Sequence, residues 1–212
     1  PPRLPEEEIT QEHKDLAAAL QKIYEREFIR LVEKAKLITR EVNLCLGGGC
    51  AYNGVANSLA YDHFDSIHIP FAPSDAGSAI GACLYQYKGV RQDNSSPYLG
   101  PEYSNFEVQN FLYKYEGKVQ WFKLTEEKII KKTAELLRGQ NIVAWFQGRM
   151  EFGARALGNR SILASPKNPK MRERLNFVIK KREGFRPFAP SVTEEQANRW
   201  FYIQENIPYM NQ

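Results

Sequence analysis

Apolar residues recur mostly three and four positions apart from Leu16 to Ile38, through Leu20, Ile23, Tyr24, Phe28, Leu31, Val32 and Ala35. This period predicts one long amphipathic helix over 10–38 that buries a single stripe. Thr10 is placed to cap it, and Glu12 to meet its positive end. The period then shortens. VNLCL is a brief apolar run ending in Gly47, Gly48 and Gly49, which reads as a buried strand feeding a glycine turn. AYNGVANSLAY predicts a short helix, SIHIP a second strand, and SDAGSAIGACLYQY a helix whose Gly77, Ala79, Gly81 and Ala82 allow close backbone packing. RQDNSSPYLGPEYS is polar and proline-punctuated, and reads as an exposed connection. Beyond it VQWFKL predicts a strand, TEEKIIKKTAELLRG a helix closed by Gly139, and NIVAWFQG another buried strand. Strands alternating with helices give an α/β fold class.

Composition adds a division of labour. The chain has 212 residues, 42% hydrophobic and 25% charged, which is globular composition and excludes the low-hydrophobicity signature of disorder. No apolar run approaches the roughly 18 residues that span a bilayer, and PPRLPEEEIT lacks the regions of a signal peptide, so a soluble cytoplasmic protein is expected. Three cysteines without a CxxC pair exclude a disulfide framework and a cysteine-rich zinc site. Cys45 and Cys83 sit in apolar text and are expected in the core, and nothing supports Cys50 as a nucleophile. From 141 to 212 there are 12 Lys+Arg against 6 Asp+Glu and no Asp or His, while the rest holds 17 against 19. A near-neutral first part and a cationic second part suggest two regions with different tasks.

Three stretches could carry chemistry. Gly47 to Gly49 let the backbone approach a bound group and point amides at it, as phosphate or ribose requires, although a merely tight turn would read the same. Asp75 opens a helix, where a carboxylate is most often a cap but also suits a metal or nucleotide contact; His63 and His68 form no metal-binding pair with it. WFQGRMEFGARALGNRSILASP sets Arg149, Arg155 and Arg160 among glycines, with Glu151, Asn159 and Ser161 between them. LNFVIKKREGFRPFAPSV then adds Lys180, Lys181, Arg182 and Arg186, with Pro187 extending the chain. Two guanidinium forks, Arg155 and Arg186, can grip a phosphate bidentately, and Lys180 adds a point charge. The plain alternative is a basic surface that binds nucleic acid without specificity.

These motifs closely resemble the carbamoyltransferases of the nodulation-protein and antibiotic-tailoring type, from about Val42 to the C-terminus. The resemblance implies part of an actin/sugar-kinase-like lobe (1–90), a linker (91–118) and part of a smaller α/β nucleotide-binding domain (119–212). It implies ATP-dependent O-carbamoylation: the smaller domain forms carbamoyl-adenylate from carbamoyl phosphate and ATP, and the larger transfers the carbamoyl group to the hydroxyl of a small-molecule acceptor. On that resemblance Arg155, Lys180 and Arg186 contact carbamoyl phosphate and nucleotide, with Arg149, Arg160 and Ser161 beside them. Gly47, Gly48, Gly49 and Asn53 contact the adenylate. Asp75 is a ligand of Fe2+ or another divalent metal, and Mg2+ accompanies ATP.

The family pattern also contains an HxxxH metal motif and, after an xPYM segment (here Pro208, Tyr209 and Met210), further acidic-Gly-Thr-Ala-Arg and Asn-Thr-Ser-Phe-Asn runs, none of which occurs in this sequence. The expectation is therefore an internal piece of a longer protein that does not turn over by itself. A tRNA-binding module or a degenerate regulatory homologue stays open as an alternative. The acceptor, the metal and a homo-oligomeric state, for which the long helix offers a surface, are not legible.

Overall fold

A computed structural model describes residues 3, 4, 6–87 and 96–212. The expected 90/91 boundary and the start of the polar connection lie outside the described residues. Mixed helices and small sheets are present, as the α/β reading expects. The chain divides into two compact units, Pro1–Ala82 with Asn198–Gln212, and Cys83–Ala197.

The first unit opens with α1 (Gln11–Thr39), where the apolar period placed it. His13 Nδ1 accepts from the Thr10 backbone N at 3.1 Å and lies 2.8 Å from Thr10 Oγ1, which fixes the entry to the helix. Strand β1 (Asn43–Cys45), a 3-10 turn, α2 (Gly54–Ser58), a second 3-10 turn and β2 (Ser66–His68) follow. The strands pair in parallel, Leu44 against Ile67. The core is Val32 with Ala51, Ala60, Phe64, Ile67 and Ile69, and Phe28 and Ala35 lean on it. The buried stripe of α1 is therefore shorter than its period suggests: Leu16 and Leu20 are 69% and 67% exposed. Periodicity defines a face, and only the stretch of that face opposite the small sheet has atoms to pack against. Cys45 and Cys83 are exposed, a correction to their expected core placement: β1 presents Cys45 outward, and α3 (Asp75–Gln86) has no buried residue.

The C-terminal segment closes this unit by contacts with no counterpart in local sequence. Glu205 accepts from Tyr61 Oη, from the Ile67 N at 3.1 Å and from Ser66 Oγ at 3.2 Å, and Gln212 Nε2 donates to the Ile67 O at 3.3 Å. Burial and then the Glu205 carboxylate hold the Tyr61 phenol well above its usual range.

The second unit contains α4 (Asn105–Tyr113), α5 (Glu126–Arg138), an antiparallel pair of β3 (Val143–Phe146) and β4 (Arg160–Leu163), α6 (Met171–Arg174), a π-helical segment Leu175–Lys180 and the start of α7 (Glu194–Trp200). Ser104 and Glu107 cap α4 reciprocally. VQWFKL is not a strand. Its apolar and aromatic residues suit one, but among the described residues no strand pairs with it, and Trp121 instead packs edge-on against Tyr113, ring centroids 5.5 Å apart. At the end of α5 the left-handed residue is Gln140 (φ 61°), one position beyond the glycine expected to close the helix. Strand β3 is only half-buried, with Phe146 exposed. Among the described residues no helix is long and apolar enough to cross a membrane.

Candidate functional site

In the second unit the arginine motif folds as a turn between β3 and β4. Glu151 is buried, and its Oε1 accepts from the backbone N of Leu157 at 2.7 Å, Asn159 at 2.8 Å and Arg160 at 3.2 Å. The Gly158 N donates to Ser161 Oγ at 3.0 Å. Burial pushes the Glu151 carboxyl up, but the converging backbone donors outweigh it and hold its pKa below the usual carboxylate range. Gly158 at φ 106° supplies the left-handed step that aims these amides inward.

Arg149 and Arg160, sequence candidates for ligand contacts, bind backbone. Arg149 Nη2 donates to the Leu99 O at 3.0 Å. Arg160 donates from Nη1 to the Gln147 O at 2.6 Å and the Asn159 O at 2.8 Å, and from Nη2 to the Gly148 O at 3.1 Å and the Pro101 O at 3.4 Å. Its guanidinium carbon sits 3.5 Å above the centroid of the Phe146 ring. This planar fork cannot be reproduced by an ammonium. Arg160→Lys is expected to lower stability by about 2 kcal/mol in urea unfolding. The loss should be nearly independent of added salt, because the partners are neutral carbonyls and a ring; a loss that vanishes at high salt would contradict the staple.

The expected exposed connection proves in part to be bound to this turn. Pro97 is buried, the Gly100 N donates to the Met150 O at 2.8 Å, the Met150 N to the Pro101 O at 3.0 Å, and the Phe152 N to the Pro97 O at 2.7 Å. Two prolines and two serines disguise a segment that pairs through alternate backbone groups.

Lys180 and Arg186 flank one loop. Lys180 ends the π-helical segment and is exposed, and its side chain makes no hydrogen bond or ion pair among the described residues. Asn176, fully buried on the same segment, accepts from Arg182 Nε at 2.8 Å and donates from Nδ2 to the Gly184 O at 3.3 Å and the Arg186 O at 2.9 Å. Arg186 Nε donates to Glu183 Oε2 at 2.8 Å. Arg155 lies half-buried on the other turn.

In the first unit an added Cβ at Gly47, Gly48 or Gly49 would meet nothing within 4 Å, and only Gly48 is left-handed, at φ 86°. The Gly48 N donates to the Pro73 O at 2.6 Å, tying the glycine loop to the turn before α3. Asn53 caps α2 by accepting from the Ala56 N at 3.2 Å, and its Nδ2 donates to Gln21 Oε1 at 2.9 Å. Beside the loop runs a groove of about 290 Å³ lined by Tyr24, Phe28, Leu31, Leu46, Cys50 and Asn57 among others. Burial, then the neighbouring Cys50, raises the Tyr24 phenol. Asn57 is fully buried there. Its Nδ2 donates to the Ala51 O and the Asn211 O, while its Oδ1 has no partner among the described residues. Asp75 is exposed at the first turn of α3. Among the described residues no three His, Cys, Asp or Glu side chains gather as a metal cage, so Asp75 does not make a metal site with them.

Asn57 and Asn176 were missed in the sequence. The signal available was a lone amide inside an otherwise apolar helical run, VANSLA and LNFVI.

The family model described as carbamoyltransferase N-terminus matches residues 2–84, and the one described as carbamoyltransferase C-terminus matches residues 134–212. Nodulation protein NolNO of Sinorhizobium fredii is 39% identical over 95% of this chain and 31% of its own length. Nodulation protein NolO of Bradyrhizobium diazoefficiens is 37% identical over 95% of this chain and 38% of its own. A 3'-hydroxymethylcephem-O-carbamoyltransferase of Amycolatopsis lactamdurans is 35% identical over 92% and 36%. The chain spans about a third of the length of these relatives. With both halves of one family's pattern matched in order, and with the glycine loop and the arginine turn each falling within a matched half, the chain belongs to the carbamoyltransferase family.

Proposed function

We propose that this chain is part of an ATP-dependent O-carbamoyltransferase. Carbamoyl phosphate and ATP would give carbamoyl-adenylate, with water consumed and phosphate and pyrophosphate leaving, and the carbamoyl group would pass to the hydroxyl of a small-molecule acceptor, which loses its proton as AMP leaves. One observation carries the phosphate assignment: two loops of the second unit, braced from within by Glu151 and by Asn176, present Arg155 on one and Lys180 with Arg186 on the other. With the amides of residues 157–160 already bonded within the turn, recognition by that stretch falls to side chains. Their fixed cations would neutralise the repulsion between two anionic substrates and stabilise charge developing at the transferred group. Arg149, Arg160 and Ser161 act by shaping this turn.

In the first unit the groove beside Gly47 to Gly49 fits a nucleoside: its walls are apolar, its volume is near the lower end of ligand sites, and Asn57 Oδ1 is a buried acceptor suited to a base amine. Asn53 holds the loop's following helix, and Asp75 stands beyond the Pro73 turn. The O-carbamoyltransferase activity named for the cephem relative supports a hydroxyl acceptor.

Calorimetric titration of inorganic phosphate and carbamoyl phosphate tests this. Wild type should bind both, and Arg155→Ala should weaken binding about 100-fold, the loss of two charge-assisted bonds. A wild type that binds neither, or one that instead binds RNA with a steep salt dependence, would sink the reading in favour of a nucleic-acid module.

A further inference from the structure

Glu151 is 7% exposed, and among the described residues it has no ion pair. A buried carboxylate is costly unless its charge is met. Here it is met by backbone alone: one oxygen receives the amides of Leu157, Asn159 and Arg160, and the Gly158 amide between them goes to Ser161 Oγ. Three amides of the four-residue stretch 157–160 converging on one oxygen, with Gly158 at φ 106°, form the kind of concave donor cradle that binds anions. In this chain the anion is built in. Arg155 stands two residues before the cradle and four after the carboxylate.

We propose that Glu151 is a positioning residue of the phosphate site: its buried carboxylate fills the amide cradle of residues 157–160 and so fixes the turn that carries Arg155 toward an incoming phosphate. The assignment rests on the phosphate-binding reading given above. It implies that the site recognises its ligand through guanidinium and ammonium groups, because the cradle is filled before the ligand arrives. It also separates charge from shape. Glutamine fills the same volume as glutamate, but a neutral carbonyl is a weaker acceptor for three donors than a carboxylate.

The test uses the whole 212-residue chain, labelled with 15N and 13C, as wild type and as Glu151→Gln and Glu151→Asp. Amide exchange is read at Leu157, Asn159 and Arg160, and inorganic phosphate is titrated while the Arg155 Nε–H resonance is followed. Glu151→Gln is expected to speed exchange at the three amides about tenfold and to weaken phosphate about tenfold, while the amides of α5 keep their rates. Glu151→Asp, one methylene short, should fail in the same two readouts. A Gln variant that keeps the three amides protected and binds phosphate as wild type does overturns the assignment alone. A wild type that binds no phosphate overturns the reading of the site and the assignment with it. Should both variants fail to fold, the wild type decides by acid titration. Among the described residues the groups that bond the Glu151 carboxylate are backbone amides. The three amide resonances should therefore move together with the Glu151 carboxyl carbon, at a midpoint below that of an ordinary glutamate. Amides that do not follow it overturn the proposal.

Discussion

Asn176→Ala is expected to destabilise the second unit by about 3 kcal/mol, a fall in melting temperature of about 15 °C for a unit of this size. The side chain makes three hydrogen bonds, one of them to a guanidinium, and it is completely enclosed. Removal leaves the Gly184 and Arg186 carbonyls and the Arg182 Nε–H to find other partners. Water can reach some of them, because this loop is largely exposed, and for that reason the cost is set below the sum of three buried bonds. The substitution also tests function. Asn176 is the clamp that holds Arg186 on the loop leading away from Lys180, so the loss should appear as weaker phosphate binding at temperatures where the variant is still folded. Asn176→Asp separates the contacts: it keeps an acceptor for Arg182 but sets a carboxylate oxygen against two carbonyl oxygens, and should cost nearly as much. A fall of less than about 1 kcal/mol for the alanine variant, by urea unfolding, would show that the loop holds itself.

What could be read from the sequence depended on whether a feature was local. Helix α1 was legible within a residue at each end, because a 29-residue period outweighs any single position and Thr10 marks its start. Helix α5 and strand β3 were legible for the same reason. VQWFKL failed because valine and aromatic residues specify a strand only when another strand is there to pair, and partnership is not written in six residues. Arg149 and Arg160 were legible as important but not in role. A guanidinium suited to phosphate is equally suited to carbonyl oxygens, and four of those lie within reach of Arg160. Glu205 and Asn211 were illegible, since their partners lie some 140 residues earlier in the chain, on and beside β2.

Gly77→Ala is expected to destabilise the first unit by about 2 kcal/mol and to loosen the glycine loop, whereas Gly81→Ala, four residues on in the same helix, should be neutral or stabilising by up to about 1 kcal/mol. Helix propensity favours alanine equally at both positions, so the difference isolates packing. At Gly77 an added Cβ would lie 2.0 Å from the Ala72 carbonyl oxygen, a backbone atom of a buried residue that cannot swing aside as a side chain would. At Gly81 it would meet nothing within 4 Å. The face of small residues read from the sequence as a packing surface is thus a single close approach, at its first glycine. Relief of the clash must shift either the first turn of α3, which carries Asp75, or the chain at Ala72 and Pro73. The second movement pulls the Pro73 oxygen from the Gly48 amide, the 2.6 Å bond that anchors the glycine loop. Amide exchange at Gly48 should therefore accelerate in Gly77→Ala and stay unchanged in Gly81→Ala. Equal melting temperatures for the two variants would mean that the turn before α3 yields freely, and that the glycine loop is held by something other than Pro73.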